Sequence, residues 1–197
     1  MSTPVTCIFI GRPGSGKGTQ SRFLIEYIKA TAADRATLYI ETGSMFRQFI
    51  QGESYSQKIA KEIMDRGGRH PDFLAVWHWG NALINQFTGA ENLIFDGAPR
   101  SMLEAQVLDT AMKYYAREKP AIAFLNVSRE WSAARLRERG RADDQEAEIA
   151  SRLSWFDRDV APAVTYYREH ADYNFLDINA EQSIKAVNQE LQRALGL

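Results

Sequence analysis

Five short runs of apolar and β-branched residues punctuate the chain: 5–10 (Val-Thr-Cys-Ile-Phe-Ile), 37–40 (Thr-Leu-Tyr-Ile), 92–96 (Asn-Leu-Ile-Phe-Asp), 121–127 (Ala-Ile-Ala-Phe-Leu-Asn-Val) and 174–178 (Asn-Phe-Leu-Asp-Ile). Most lack the polar alternation of a half-exposed strand, the pattern of strands covered by helices on both faces. The longer stretches between them repeat apolar residues at helical spacing: Phe23 with Tyr27 and Leu24 with Ile28 after the first run, and Ile184, Val187, Leu191 and Leu195 at the end. Strand and helix patterns in alternation predict an α/β fold, a five-stranded parallel sheet flanked by helices. The first helix is predicted to begin near Gln20. Pro162 is predicted to kink or break the helical stretch from about Asp143 to Arg168, since proline removes an amide donor and crowds the preceding turn. No repeat or low-complexity linker interrupts the 197 residues, and one core can serve that length, so residues 1–197 are expected to form a single domain.

Charge narrows the partners. Lys and Arg number 24 against 25 Asp and Glu, a formal net charge of -1, which gives no global excess for a nucleic acid or an anionic membrane. Neither partner is expected, and any phosphate binding must be local. The single cysteine, Cys7, cannot close an intramolecular disulfide, and His70, His78 and His170 lie too far apart in sequence to resemble a zinc spacing. No apolar run reaches the roughly 20 residues that span a bilayer. The first run is preceded by neither Lys nor Arg, unlike a signal peptide. A cytoplasmic location is expected.

In open parallel sheets ligands bind beyond the carboxyl ends of the strands, and the chemistry-bearing residues of this chain follow its strand runs. The first run ends in Gly11-Arg12-Pro13-Gly14-Ser15-Gly16-Lys17-Gly18-Thr19. In such a loop, backbone N–H groups converge on a phosphate chain, the glycines admit close approach, and the following helix adds positive potential at its N-terminus. Lys17 is placed to reach the outer phosphates. The third run ends in Phe95-Asp96-Gly97-Ala98-Pro99-Arg100, where a carboxylate can orient Mg²⁺-bound water and an arginine can reach a phosphate from the same rim. Further on, Arg135, Arg137, Arg139, Arg141, Asp143, Asp144 and Arg152 form the densest charge pattern, of which Arg135 and Arg137 read as a solvated helix face.

Taken in order, these motifs resemble the adenylate kinases and related nucleoside monophosphate kinases over nearly the whole chain. The loop Gly-x-Pro-Gly-x-Gly-Lys-Gly-Thr, in which Gly18 separates Lys17 from Thr19, is similar to the phosphate-binding loop of that family, and Asp96-Gly97-Ala98-Pro99-Arg100 resembles its Asp-Gly-aromatic-Pro-Arg segment. Glu41-Thr42-Gly43-Ser44-Met45-Phe46-Arg47 resembles Ser-Thr-Gly-Asp-x-x-Arg. Met64–Pro71 resembles the segment whose backbone faces the acceptor base. Arg139-Gly140-Arg141-Ala142-Asp143-Asp144 with Arg152 looks like the short-lid form of the family.

The resemblance implies a P-loop NTPase-like sheet with a small helical acceptor-binding segment at about 41–70 and a short lid at about 137–145. It implies that ATP is bound by Gly14, Ser15, Gly16, Lys17, Gly18, Thr19, Arg139 and Gln182. The monophosphate would be bound by Thr42, Arg47, Gly68, Arg69, His70, Gly97, Arg100, Glu104, Arg141 and Arg152. Transfer would be carried by Lys17, Arg100, Arg139, Arg141 and Arg152, and Mg²⁺ held near Thr19 and Asp96, partly through water. ATP and a monophosphate are the expected partners and a monomer the expected state.

The chain departs from the family pattern on the acceptor side, at Glu41, Ser44, Ala98 and Glu104. Glu104 stands where a glutamine pairs with the acceptor adenine. A carboxylate accepts from an amino group but cannot donate to the neighbouring ring nitrogen, so acidic readout suits guanine. AMP is nevertheless the first expectation, with GMP, CMP or UMP as alternatives. Two other readings stay open: a phosphate-loop kinase of a small metabolite, and a nucleotide-binding module without turnover.

Overall fold

The computed structural model, described over residues 4–31, 35–141 and 144–197, lays the five apolar runs side by side as strands of one parallel sheet. They are β1 (Thr6–Gly11), β2 (Thr37–Glu41), β3 (Asn92–Asp96), β4 (Ala121–Asn126) and β5 (Asn174–Asn179), in the spatial order β2-β3-β1-β4-β5. Ile8 stands level with Phe95 on one side and Ile122 on the other, so the central three strands are in close register.

Alternate residues of these strands feed two cores. Cys7, Phe9, Ile94, Ala123 and Leu125 pack with Leu24 and Ile28 of α1 (Lys17–Thr31) and with Val187 and Leu191 of α9 (Ile184–Leu195). Ile8, Ile10, Leu93, Phe95 and Ile122 pack on the opposite face, against α4 (Asp72–Gln86), α5 (Met102–Tyr114) and α8 (Ala161–Glu169). Burial on both sides explains the near-continuous apolar runs: every residue of β1 and β3 is buried. The Cys7 thiol sits in this core, where burial pushes its pKa far up and keeps it inert.

Two helical expectations change. α1 starts at Lys17 rather than near Gln20, because Thr19 and Gln20 already donate to the Gly16 carbonyl at 3.0 Å each. Lys17, Gly18 and Thr19 therefore stand on the first turn of the helix, not in the loop before it. The stretch around Pro162, expected to kink or break, keeps its hydrogen-bonded course but changes helix type just before the proline. α7 (Glu146–Trp155) passes into a π-helical turn at Phe156–Val160 and then into α8, whose first turn carries Pro162. Proline is tolerated there because the wide turn has relaxed the preceding bonds.

The remaining helices are α2 (Thr42–Phe49) and α3 (Tyr55–Asp65) after β2, and α6 (Arg129–Arg139) after β4. Ser54, Ser101, Ser128 and Ser183 each cap a helix by accepting from a backbone N–H three residues on. No helix among the described residues is long and apolar enough to cross a membrane.

Candidate active site

A cleft of about 800 Å³ opens over the carboxyl ends of β1 and β3, walled by α2 and the Met64–His70 stretch on one side and by α6 and α7 on the other. Basic residues dominate its polar wall: Lys17, Arg47, Arg100, Arg139, Arg141 and Arg152 all border it. A chain of net charge -1 thus concentrates positive charge at one place.

The floor is the loop after β1. Gly16 has φ 95°, a left-handed conformation that favours glycine, and the loop is tightened by the Ser15 amide donating to the Arg12 carbonyl at 3.1 Å. Ser132 of α6 donates its hydroxyl to the Pro13 carbonyl, tying the loop to the opposite wall. Ser15 Oγ is buried with no hydrogen-bond partner. Lys17 curls back over the loop and donates from Nζ to the carbonyls of Gly11 (2.8 Å) and Arg12 (2.9 Å). Burial lowers the Lys17 pKa to about 8; Asp96 opposes this, while Arg100, Arg152 and Arg139 add to it.

Asp96, at the end of β3, is 7% exposed and accepts from the Tyr39 hydroxyl at 3.1 Å. A side chain at position 18 would meet Asp96 Oδ2 at 3.2 Å, so glycine there keeps the carboxylate accessible from the first turn of α1. Thr19 borders the cleft one residue further on. One or two protein oxygens beside a phosphate-binding loop suit a hard ion that keeps several waters, and the residues present fit Mg²⁺ in that way.

The guanidiniums are held by different means. Arg100 donates from Nε to the Gly97 carbonyl at 2.6 Å and from Nη2 to Thr42 Oγ1 at 3.1 Å. Gly97 has φ 82°, and a Cβ there would stand 2.9 Å from both Thr42 Oγ1 and Arg100 Nη2, so the contact requires glycine. Burial lowers the Arg100 pKa, Glu104 and Asp96 work against that, and Arg152 and Arg47 reinforce it. Arg47 pairs with Glu41 at 2.9 Å. Across the cleft, Arg139 grips Asp144 through Nε and Nη2 at 2.8 and 2.7 Å, Arg152 reaches the same carboxylate at 2.9 Å, and the Arg141 amide donates to it at 3.1 Å. Burial would raise the Asp144 pKa, but the Arg139 hydrogen bonds, the Arg141 amide and the charges of Arg139 and Arg152 together hold it below the usual carboxylate range. Asp143 and Ala142, part of the same sequence motif, lie outside the described residues.

Gly14, Gly16, Lys17, Gly18, Thr19, Arg47, Gly68, His70, Asp96, Gly97, Arg100, Arg139, Arg141 and Arg152 are thus brought to one cleft. Five expected site residues are not on its wall. Ser15 and Thr42 are buried behind it, and Thr42 positions Arg100 and donates to the Gly97 carbonyl at 2.7 Å. Gln182 is exposed on the segment after β5, donating to the Asn179 carbonyl and Glu190. Arg69 is held by Asp72 and Asp159. Glu104 is fully buried, accepting from Trp79 Nε1 at 3.0 Å and from the Arg100 amide at 2.6 Å. Burial raises its pKa against the pull of the Arg100 amide, the Arg100 charge and Trp79.

The resemblance gave Glu104 to the acceptor base because a glutamine stands at that place in the family; the partner that occupies it, Trp79, lies 25 residues earlier. An indole buried on the apolar face of a helix was the available signal. Arg135, read as a solvated residue, borders the cleft mouth and stacks on Trp131. Trp155 and Glu148 border the cleft and had not been singled out.

A sequence profile of the adenylate kinase family matches residues 9–172. Among curated proteins the chain is similar to an adenylate kinase of Flavobacterium psychrophilum, 30% identical with 97% of this chain and 98% of that protein covered. It is also similar to adenylate kinase 1 of a Nostoc species, 32% identical over 96% and 97% of the two chains. Adenylate kinase 1 of a Synechocystis species is 34% identical, with 94% of each chain covered.

Proposed function

The chain belongs to the adenylate kinase family and is a nucleoside monophosphate kinase, and on that premise we propose that it transfers the γ-phosphate of ATP reversibly to AMP. The observation that carries this reading is the convergence of Lys17, Arg47, Arg100, Arg139, Arg141 and Arg152 on one cleft over the phosphate-binding loop. Phosphoryl transfer asks for positioning and charge stabilisation. The acceptor phosphate, with a second pKa of about 6, is already ionised at neutral pH and needs no general base.

In this reading the loop residues Gly14 to Gly16 and the first turn of α1 from Lys17 to Thr19 cradle the donor phosphates, and Lys17 leaves its two carbonyl partners to meet them. Arg47 and Arg100 hold the acceptor phosphate, and Arg139, Arg141 and Arg152 close on the group in transit. Residues of about 41–70 form the acceptor-binding segment and those of about 137–145 the lid, whose closure excludes water. Mg²⁺, held by Asp96 and beside Thr19, would neutralise charge on the donor phosphates.

The test is a panel of AMP, GMP, CMP, UMP and dTMP with ATP as donor. AMP is expected to give the highest kcat/KM, and a clear preference for another monophosphate overturns that choice. The burial of Glu104 favours AMP over guanine here, because the one feature that suggested acidic readout of the base is engaged in the core.

Lys17 supplies a second expectation. Anionic phosphates raise the pKa of a lysine they contact, so a group at about 8 takes up protons when ATP binds. Calorimetry of ATP binding at pH 8, in buffers of different ionisation enthalpy, should report uptake of about half a proton. Affinity should fall as pH rises above 8; buffer-independent heats at that pH would contradict the assigned contact.

A further inference from the structure

The residues first expected to read the acceptor base are largely engaged elsewhere. Glu104 spends both oxygens on Trp79 and the Arg100 amide, and Arg69 is held by Asp72 and Asp159. Two backbone groups at the start of the turn are also engaged: the Gly67 carbonyl accepts from Ser151 Oγ at 3.1 Å and Trp155 Nε1 at 3.2 Å, and the Gly68 amide donates to the Ile63 carbonyl at 2.9 Å.

His70 differs from all of these. It borders the cleft at 5% exposure, and neither Nδ1 nor Nε2 has a hydrogen-bond partner. Buried polar atoms are ordinarily paired, so two orphaned nitrogens on one ring call for an explanation. The ring stacks on Phe46 with centroids 4.0 Å apart and planes 10° from parallel, which occupies a face and leaves the edge with its nitrogens for in-plane contacts. Glu148 packs against Gly67, three residues before His70: a Cβ on Gly67 would fall 2.7 Å from Glu148 Cα. Its Oε2 is also buried without a partner, and Glu148 borders the same cleft. Phe46, Ile50, Met64 and Trp155 supply apolar wall around them, suited to a flat ring.

We infer that His70 is a specificity-determining residue whose imidazole edge hydrogen-bonds the acceptor base, with the Glu148 carboxylate as the second polar contact. The inference rests on the phosphotransferase reading above. Burial lowers the His70 pKa to about 4, with the Arg100 and His78 charges acting in the same direction, so the ring is neutral at physiological pH. A neutral imidazole can donate to a ring nitrogen, and a carboxylate can accept from an exocyclic amine. A 6-aminopurine presents those two groups side by side. Both imidazole nitrogens are covered, so entry of the base has to shift the Gly67–Pro71 turn or the ring, as substrate-driven closure does.

The experiment compares wild type with His70→Val and His70→Gln, measuring KM for AMP, KM for ATP and the inhibition constant of ribose 5-phosphate, which carries the acceptor phosphate without a base. His70→Val is expected to raise the AMP KM about tenfold, the worth of one hydrogen bond, while the ATP KM and the ribose 5-phosphate constant stay within about twofold. His70→Gln should recover part of the loss. An unchanged AMP KM in His70→Val overturns the inference, and so does equal weakening of AMP and ribose 5-phosphate, which marks a structural role. A variant that fails to fold leaves the imidazole nitrogen resonances of the wild type as the arbiter: those of His70 should move with AMP and not with ribose 5-phosphate, and resonances unmoved by AMP refute the contact. If the wild type phosphorylates no monophosphate at all, the phosphotransferase reading falls together with the inference; transfer that is indifferent to His70 overturns the inference alone.

Discussion

Lys17→Met is expected to slow phosphoryl transfer about 10²–10³-fold, the scale seen when one preorganised charge-stabilising group is removed from a site that excludes water. Methionine keeps the length and flexibility of the side chain and can lie along the same loop. What it loses is the cation and the two hydrogen bonds to the Gly11 and Arg12 carbonyls. Those carbonyls sit at the cleft floor where water can replace the lysine, so the thermal midpoint should move by only a few degrees. A coupled assay of ADP formation, run beside a thermal melt, separates the two effects. Turnover near that of the wild type in a folded Lys17→Met protein would remove the phosphate-binding loop from the proposed mechanism.

The second large effect is expected at Arg152. Arg152→Ala should lower kcat about 10³-fold, the lower end of what a transition-state arginine contributes in phosphoryl transfer. Arg152→Lys should restore little, because an ammonium offers a point charge where the guanidinium offers a planar fork. Folding should survive either change, since Asp144 keeps its two bonds from Arg139 and its bond from the Arg141 amide. The diagnostic reading is a kcat loss much larger than the change in KM for ATP; a loss confined to KM would make Arg152 a ground-state binding residue.

How far such assignments could be made from sequence depended on whether the partners are neighbours along the chain. The strands were legible to within two residues at each end because a parallel sheet covered on both faces leaves contiguous apolar runs. The phosphate-binding loop was legible because its glycines, lysine and flanking elements are consecutive. The tertiary choices of individual side chains were not. Glu104 found Trp79 and the Arg100 amide, Arg69 found Asp159, and Thr42 turned to Gly97 and Arg100. Each pairing joins elements that meet only once the sheet has formed. The π-helical turn was half visible: Pro162 marked the place, but whether a proline breaks a helix or sits after a widened turn depends on what packs there. Here Phe156 and Val160, both buried, hold the chain in line.

The buried Asp144 carboxylate gives the cleft a resident counter-ion. Arg139 and Arg152 come to it already satisfied, as Arg47 comes to Glu41. In the proposed reading a nucleotide phosphate does not fall onto bare cations; it takes them over from carboxylates, and the gain is the difference between two anions. When the phosphoryl group has moved, the same carboxylates stand ready to take the arginines back. A chain built this way gives up some grip on its substrates and in return lets its products go, which in many enzymes is the step that sets the pace.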